Sequence, residues 1–207
     1  MSRFGCIRDK FDDRDYLMRA YLPVVKLPKR IDYTKEMSPV RDQQNEGVCV
    51  GFATASGMKE YQELLDYKKL VELSPRFVYV EAKKIDGVPG LDPSFKGIGR
   101  SIPVGLEGTT IRAAMQVLNA KGVCQEKFWP YRPHQQDKPK EGIFSNAKKF
   151  CIMTYARILN LDELRMSLAT KGPAVLGIQV FKGMLNPTGV GLPTPYKEGP
   201  KKKHGTC

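Results

Sequence analysis

The sequence is poor in several things, and each shortage narrows its reading. The apolar stretch from Pro173 to Phe181 is nine residues with Gln179 inside it, far short of the about 20 that cross a bilayer as a helix. The N-terminus, Met-Ser-Arg-Phe-Gly-Cys-Ile-Arg-Asp-Lys, becomes charged before an apolar stretch can develop, so no secretory signal peptide is expected. There is one tryptophan, Trp129, and there are two histidines, His134 and His204. Repeats and low-complexity tracts are absent. The five cysteines (Cys6, Cys49, Cys124, Cys151 and Cys207) are odd in number, widely spaced and without a CxxC pair. That argues against a metal site and against a disulfide framework. Cytoplasm or another reducing compartment is the expected location.

What is present describes a packed domain. The chain has 207 residues, 41% of them apolar, with 34 Lys or Arg against 22 Asp or Glu and a net charge of +12. It is too apolar for a disordered chain and long enough for one large domain or two small lobes. Residues 138–207 hold twelve Lys or Arg and four acids. These charges are scattered, and no aromatic stacking motif runs among them. They read as a solvated basic face, so neither nucleic acid nor a membrane is expected as a partner.

Residues 6–39 look irregular, with mixed charges in Arg8 to Asp15 and punctuation by Pro23, Pro28 and Pro39. A helix is predicted to start near Cys49, with Phe52, Ala53, Ala55, Met58, Tyr61, Leu64 and Leu65 on one stripe. Ser74-Pro75 predicts a second helix, Ser74 as cap and Pro75 in the first turn. Thr109-Thr110 opens a third, which Lys121-Gly122 stops. Residues 86–106, rich in Gly and Pro, read as loop. Residues 143–160 contain strand-like apolar pieces. A short helix is predicted from Leu161 to Ala169, and Ala174 to Val180 is the strongest strand. Helices first and strands last predict an α+β fold.

One cysteine stands apart. At the start of a helix the first N–H groups lack internal partners and the macrodipole is positive, so Cys49 sits where a thiolate is favoured. A thiolate is the nucleophile of covalent acyl transfer. Such chemistry needs donors for an oxyanion and a base. The backbone N–H of Cys49 can be one donor, and Gln43 or Gln44 in the preceding loop another. The base would be His134 or His204.

The segment Val40-Arg41-Asp42-Gln43-Gln44-Asn45-Glu46-Gly47-Val48-Cys49-Val50-Gly51-Phe52-Ala53 resembles the active-site segment of papain-like cysteine peptidases. Further segments match in the same order: Leu73 to Tyr79, Glu107 to Arg112, Gly122 to Tyr131, Lys171 to Val175, and His204 to Cys207. The lead-in Asp12 to Tyr16 is similar to that of bacterial, archaeal and viral members. The resemblance covers roughly residues 6–207. It implies Cys49 as nucleophile, His204 as its partner and Gln43, six residues before Cys49, as oxyanion donor. It also implies Gly47, Glu107 and Gly108 in substrate binding, an extended polypeptide as substrate, and no metal or cofactor.

The implied fold has two lobes: a helical left lobe over 40–140 and a strand-rich, barrel-like right lobe over 141–207, with 1–39 an N-terminal extension and part of it. Three departures accompany the resemblance. Glu46 stands where well-known members carry a disulfide cysteine, and Val50 where they carry an aromatic. Cys49 and His204 are 155 residues apart, slightly beyond the usual roughly 130–150. The strands that follow the histidine in the family, with its Asn or Asp orienter, are expected to be missing after Cys207. The leading expectation is a cysteine peptidase; the rivals are a catalytically impaired binding scaffold or a fragment of a longer peptidase, an amidase or transpeptidase, and a basic nucleic-acid binder.

Overall fold

In the computed structural model of the chain the described residues are 5–87, 108–133, 138–181 and 203–206, with Phe181 and 203–206 described as backbone alone. Helix α1 (Cys49–Phe52) passes through a π-helical stretch (Ala53–Lys59) into α2 (Glu60–Tyr67). The helix thus begins at Cys49 and keeps one continuous course. A π stretch within a helix is rare and frequent near functional sites. Thr54 fits inside it by donating its hydroxyl to Val50 O at 2.6 Å.

Helix α3 (Pro75–Lys83) is the centre of the core, and every one of its residues is buried. Ser74 caps it: its Oγ accepts from Phe77 N at 3.1 Å and donates to Trp129 O at 2.6 Å. Helix α4 (Ile111–Ala120) is capped by Thr110, whose Oγ1 accepts from Ala113 N at 3.1 Å. Its inward face carries Ala113, Ala114, Met115, Val117 and Leu118. Both α1 and α4 pack on α3, and the shared core takes in Val48, Cys49, Val50, Leu73, Val123, Cys124 and Trp129. Burying one such Leu, Val or Phe side chain contributes about 1.5–3 kcal/mol.

The segment 143–150 is helical, which corrects its strand-like reading. Helix α5 (Ile143–Ala147) continues into a 3-10 turn, Lys148–Phe150. The reason is spacing: Ile143 and Ala147, four apart, are both buried, and that period is helical. Buried Asn146 adds a tie by accepting from Gln125 N at 2.8 Å. Helix α6 (Leu161–Thr170) opens with a reciprocal cap. Asn160 Oδ1 accepts from Glu163 N at 2.8 Å, while Glu163 Oε2 accepts from Leu159 N at 2.9 Å.

Strands are few among the described residues. Strand β1 (Cys6–Ile7) pairs in parallel with β2 (Thr109–Thr110), Cys6 opposite Thr109. Strand β3 (Gln179–Phe181) pairs antiparallel with β4 (Lys203–Thr206). The long strand expected over 174–180 is therefore short. Residues 173–178 lie outside the ladder, with Leu176 and Ile178 exposed.

Candidate functional site

The loop before α1 is built from hydrogen bonds rather than from regular structure. Asp42 Oδ1 accepts from Gln44 N at 2.7 Å, and Gln44 takes the left-handed conformation at φ 56°. A non-glycine residue there needs its surroundings to hold it. Arg41 ties the loop's start to α2: its Nη2 reaches Glu60 Oε1 at 2.5 Å and Leu73 O at 3.0 Å. At the loop's end Glu46, almost fully buried, receives both ends of the Arg76 guanidinium at 2.5 and 2.7 Å. The polypeptide then reaches Gly47, Val48 and Cys49, all buried.

Cys49 is the first residue of α1 and lies deep, 7% exposed. Its Sγ accepts a hydrogen bond from the backbone N–H of Gly5 at 3.3 Å. Gln43 lies in the loop, its Nε2 donating to Glu46 O at 3.2 Å and its own carbonyl accepting from the Tyr131 hydroxyl at 2.8 Å. Gly108 is buried at φ 104°, a conformation that favours glycine, and its N–H donates to the Tyr79 hydroxyl at 3.1 Å. His204 lies in β4 where the register shifts: Val180 faces Gly205, but Phe181 faces Lys203, which makes His204 the extra residue of a bulge. Bulges of this kind re-aim side chains and recur beside active sites. Glu107 and His134 lie outside the described residues.

An N-terminal segment runs along this site, and the sequence reading missed it. Gly5 O accepts from Thr109 N at 2.8 Å, and β1 continues the pairing to Thr110. The fit is close enough to exclude side chains. A Cβ on Gly5 would come within 1.8 Å of Gly47 O, and one on Gly108 within 2.7 Å of Gly5 O. Asp9 caps α4 by accepting from Arg112 N at 3.2 Å, and Arg112 and Arg157 both grip Asp15. Burial alone would raise the Asp15 carboxyl, but the hydrogen bonds from Arg157 and Arg112 outweigh it and hold the group below its ordinary 3.8. A carboxylate lowered in this way stabilises the fold above its unfolded value and loses that effect only as pH falls through the folded one. The clasp therefore stays closed at about pH 5. The sequence signals here were the mixed charges of 8–15 and the lead-in Asp12 to Tyr16, and neither names a partner.

Burial pushes the Cys124 thiol up to about 12, so it is a packing residue. Cys6 is buried beside Gly5, and Cys151 is half-buried. Among the described residues no group of three or more His, Cys, Asp or Glu could hold a metal ion. A cavity of about 1030 Å³ runs along β1, α4 and residues 152–161, and Cys49 is not among its lining. Gly5 occupies the space over that thiol instead.

The chain is similar to several known proteins. A family model described as papain family cysteine protease matches residues 27–206. Cysteine proteinase 15A of Pisum sativum is 28% identical over 177 residues, covering 83% of this chain and 45% of that protein. The uncharacterized peptidase C1-like protein L477 of Acanthamoeba polyphaga mimivirus is 24% identical, covering 94% of this chain and 68% of it. Among solved structures, xylellain, a cysteine protease from Xylella fastidiosa, superposes with a TM-score of 0.73 at 25% identity, over 99% of this chain and 77% of that one. Procathepsin L 3 of Tenebrio molitor larval midgut shares the fold at a TM-score of 0.62. The chain thus spans less than half of the pea proteinase and about two thirds of the viral relative. With the family model matched along most of its length, the chain belongs to the papain family of cysteine proteases.

Proposed function

We propose that this chain is a cysteine peptidase acting on extended polypeptides. One observation carries the reading: an extended backbone already lies against Cys49, hydrogen-bonded to its Sγ and to the 109–110 edge. A groove that takes main-chain bonds from β1 can take them from a substrate strand. Cys49 and His204 form the thiolate–imidazolium pair. The Cys49 sulfur attacks the scissile carbonyl carbon, and the oxyanion lies against Cys49 N–H and the Gln43 amide. His204 gives its proton to the leaving amine. It then takes one from water, whose oxygen displaces the sulfur from the thioester. Gly47 and Gly108 line the substrate path, and Glu107 is assigned to substrate binding by the resemblance alone.

Within this reading the helical unit of 40–140 forms one wall of the cleft. Residues 1–39 and 141–207 contribute the other, and there α5 and α6 outweigh β3 and β4 among the described residues, which corrects the strand-rich lobe that the resemblance implied. The four described cysteines are in no disulfide, in keeping with a reducing compartment. The rival is a binding scaffold of the same fold, which would hold peptides without turning them over.

The test is intact-mass analysis after treatment with a peptidyl epoxide at about pH 5, where ordinary thiols of pKa about 8.5 are protonated. One label at Cys49, lost in His204→Ala, is the expected result. Labelling of Cys49 no faster than the other thiols would overturn the reading.

A second expectation concerns β1. Gly5→Val places a side chain against Gly47 O and should expel β1 from the groove. Labelling by the peptidyl epoxide should then speed up by about tenfold, as the open fraction of the cleft rises. An unchanged labelling rate with an unchanged Tm would show that β1 does not compete with peptides.

A further inference from the structure

A buried polar cluster lies against the Gln43–Cys49 loop, and the catalytic steps above make no use of it. Its members come from three segments. Glu46 belongs to the loop, Arg76 to α3, and Tyr131 follows Trp129-Pro130. Arg76 holds the Glu46 carboxylate with two hydrogen bonds and also donates to Arg132 O at 2.8 Å. Its guanidinium lies 4.8 Å from the centre of the Tyr131 ring. A second constraint on that ring is Phe52, edge-on at 4.8 Å, from the first turn of the helix that begins at Cys49. Tyr131 N is fixed as well, donating to Glu126 Oε1 at 2.6 Å.

Tyr131 is therefore a held rod, and its hydroxyl is the working end. The hydroxyl has one hydrogen to donate. It lies 2.8 Å from the carbonyl oxygen of Gln43 and 3.1 Å from Glu46 Oε2. The next residue, Gln44, is in the left-handed conformation and is held from its other side by Asp42. The peptide between Gln43 and Gln44 is thus clamped by Tyr131 on its carbonyl and by Asp42 on its N–H. A clamp on that peptide sets where the Gln43 Cα–Cβ bond points. The amide reaches Glu46 O at 3.2 Å, so the residue that holds Arg76 also steadies the side chain.

We propose that Tyr131, braced by Glu46 and Arg76, is a positioning residue that holds the Gln43 amide where the oxyanion develops. The proposal rests on Gln43 being the oxyanion donor. Preorganised donors give most of their effect because they need not reorient during the reaction. A Gln43 whose backbone is loose keeps its chemistry and loses that readiness.

The experiment is a double-mutant cycle on peptide hydrolysis by the full chain, with Tyr131→Phe, Gln43→Ala and the two combined. Tyr131→Phe keeps the ring, its contact with Phe52 and its stacking on Arg76, and removes only the hydroxyl. Gln43→Ala should lower kcat by about 10²–10³-fold, the loss typical of one oxyanion donor. Tyr131→Phe should lower kcat by about tenfold with KM within about twofold, the signature of an interaction made in the transition state. Combined with Gln43→Ala it should add nothing, because it acts through a side chain already removed. The rate of iodoacetamide reaction at Cys49 should be unchanged, since the thiol is not what Tyr131 holds.

A kcat for Tyr131→Phe equal to the parent's, or a loss that multiplies with that of Gln43→Ala, would overturn the proposal while leaving Gln43 as donor. A Gln43→Ala variant as active as the parent, or a parent without turnover, would overturn the donor assignment and the proposal with it. A lowered Tm with unchanged kcat would assign Tyr131 to stability alone.

Discussion

Replacing Cys49 by alanine is expected to lower peptide hydrolysis by at least about 10⁴-fold, the scale on which loss of a nucleophile removes turnover. The fold should survive. Cys49 is buried at the head of α1 in a core formed mainly by α1, α3 and α4, and the substitution deletes one sulfur atom from a wall that includes backbone. No neighbouring thiol can take over at Cys124, which burial pushes up to about 12. His204→Ala should produce a loss of similar size, because a nucleophile and its base act as a unit and not additively. Steady-state hydrolysis of an internally quenched peptide reads both. A Cys49→Ala variant that keeps turnover within about tenfold of the parent would move the chemistry elsewhere. One that loses turnover and still binds peptide would match the proposed mechanism, whereas a scaffold would show equal binding and no turnover in either form.

Arg76→Met carries the largest expected loss of stability. Arg76 is 1% exposed, Glu46 is 7% exposed, and the bond between them is bidentate. Removing the guanidinium strands a carboxylate in the core, which costs about 3–5 kcal/mol. For a chain of this size that is a Tm lowered by roughly 6–20 °C. The double variant Glu46→Leu with Arg76→Met should recover much of the loss, since a buried ion pair is often no more stabilising than apolar residues of similar volume. Thermal and urea unfolding measure both. An Arg76→Met loss under about 1 kcal/mol would mean that water reaches Glu46 and solvates it. The family resemblance places a disulfide cysteine at position 46, and a native disulfide contributes about 2–4 kcal/mol. The ion pair ties the same loop to α3 without an oxidant.

The sequence alone determined the elements whose signals are local. The helix beginning at Cys49, the Ser74-Pro75 start, the Thr110 cap and the helix opening near Leu161 all follow from spacing and capping chemistry within a few residues. Short motifs in order were enough to place the chain among the papain-like peptidases, and the family match over 27–206 rests on the same order. Where the local signal was ambiguous, the reading failed. Ile143 to Phe150 is apolar enough for a strand, and only the burial of Ile143, Ala147 and Asn146 against neighbouring segments makes it helical.

What the tertiary structure decided are the contacts between residues far apart in the chain. Gly5 meets Cys49 across 44 positions, Arg76 meets Glu46 across 30, and Tyr131 meets Gln43 across 88. No periodicity or cap encodes such pairs, because each residue fits its own segment equally well with other partners. Glu46 could have been a solvated loop carboxylate, and Tyr131 an ordinary core ring. Packing α3 between α1 and α4 closes the space around them, and once water is excluded a carboxylate must find a cation and a hydroxyl an acceptor. The helix start that carries Cys49 is thus local and readable in sequence, while the support around it exists only when the chain is folded.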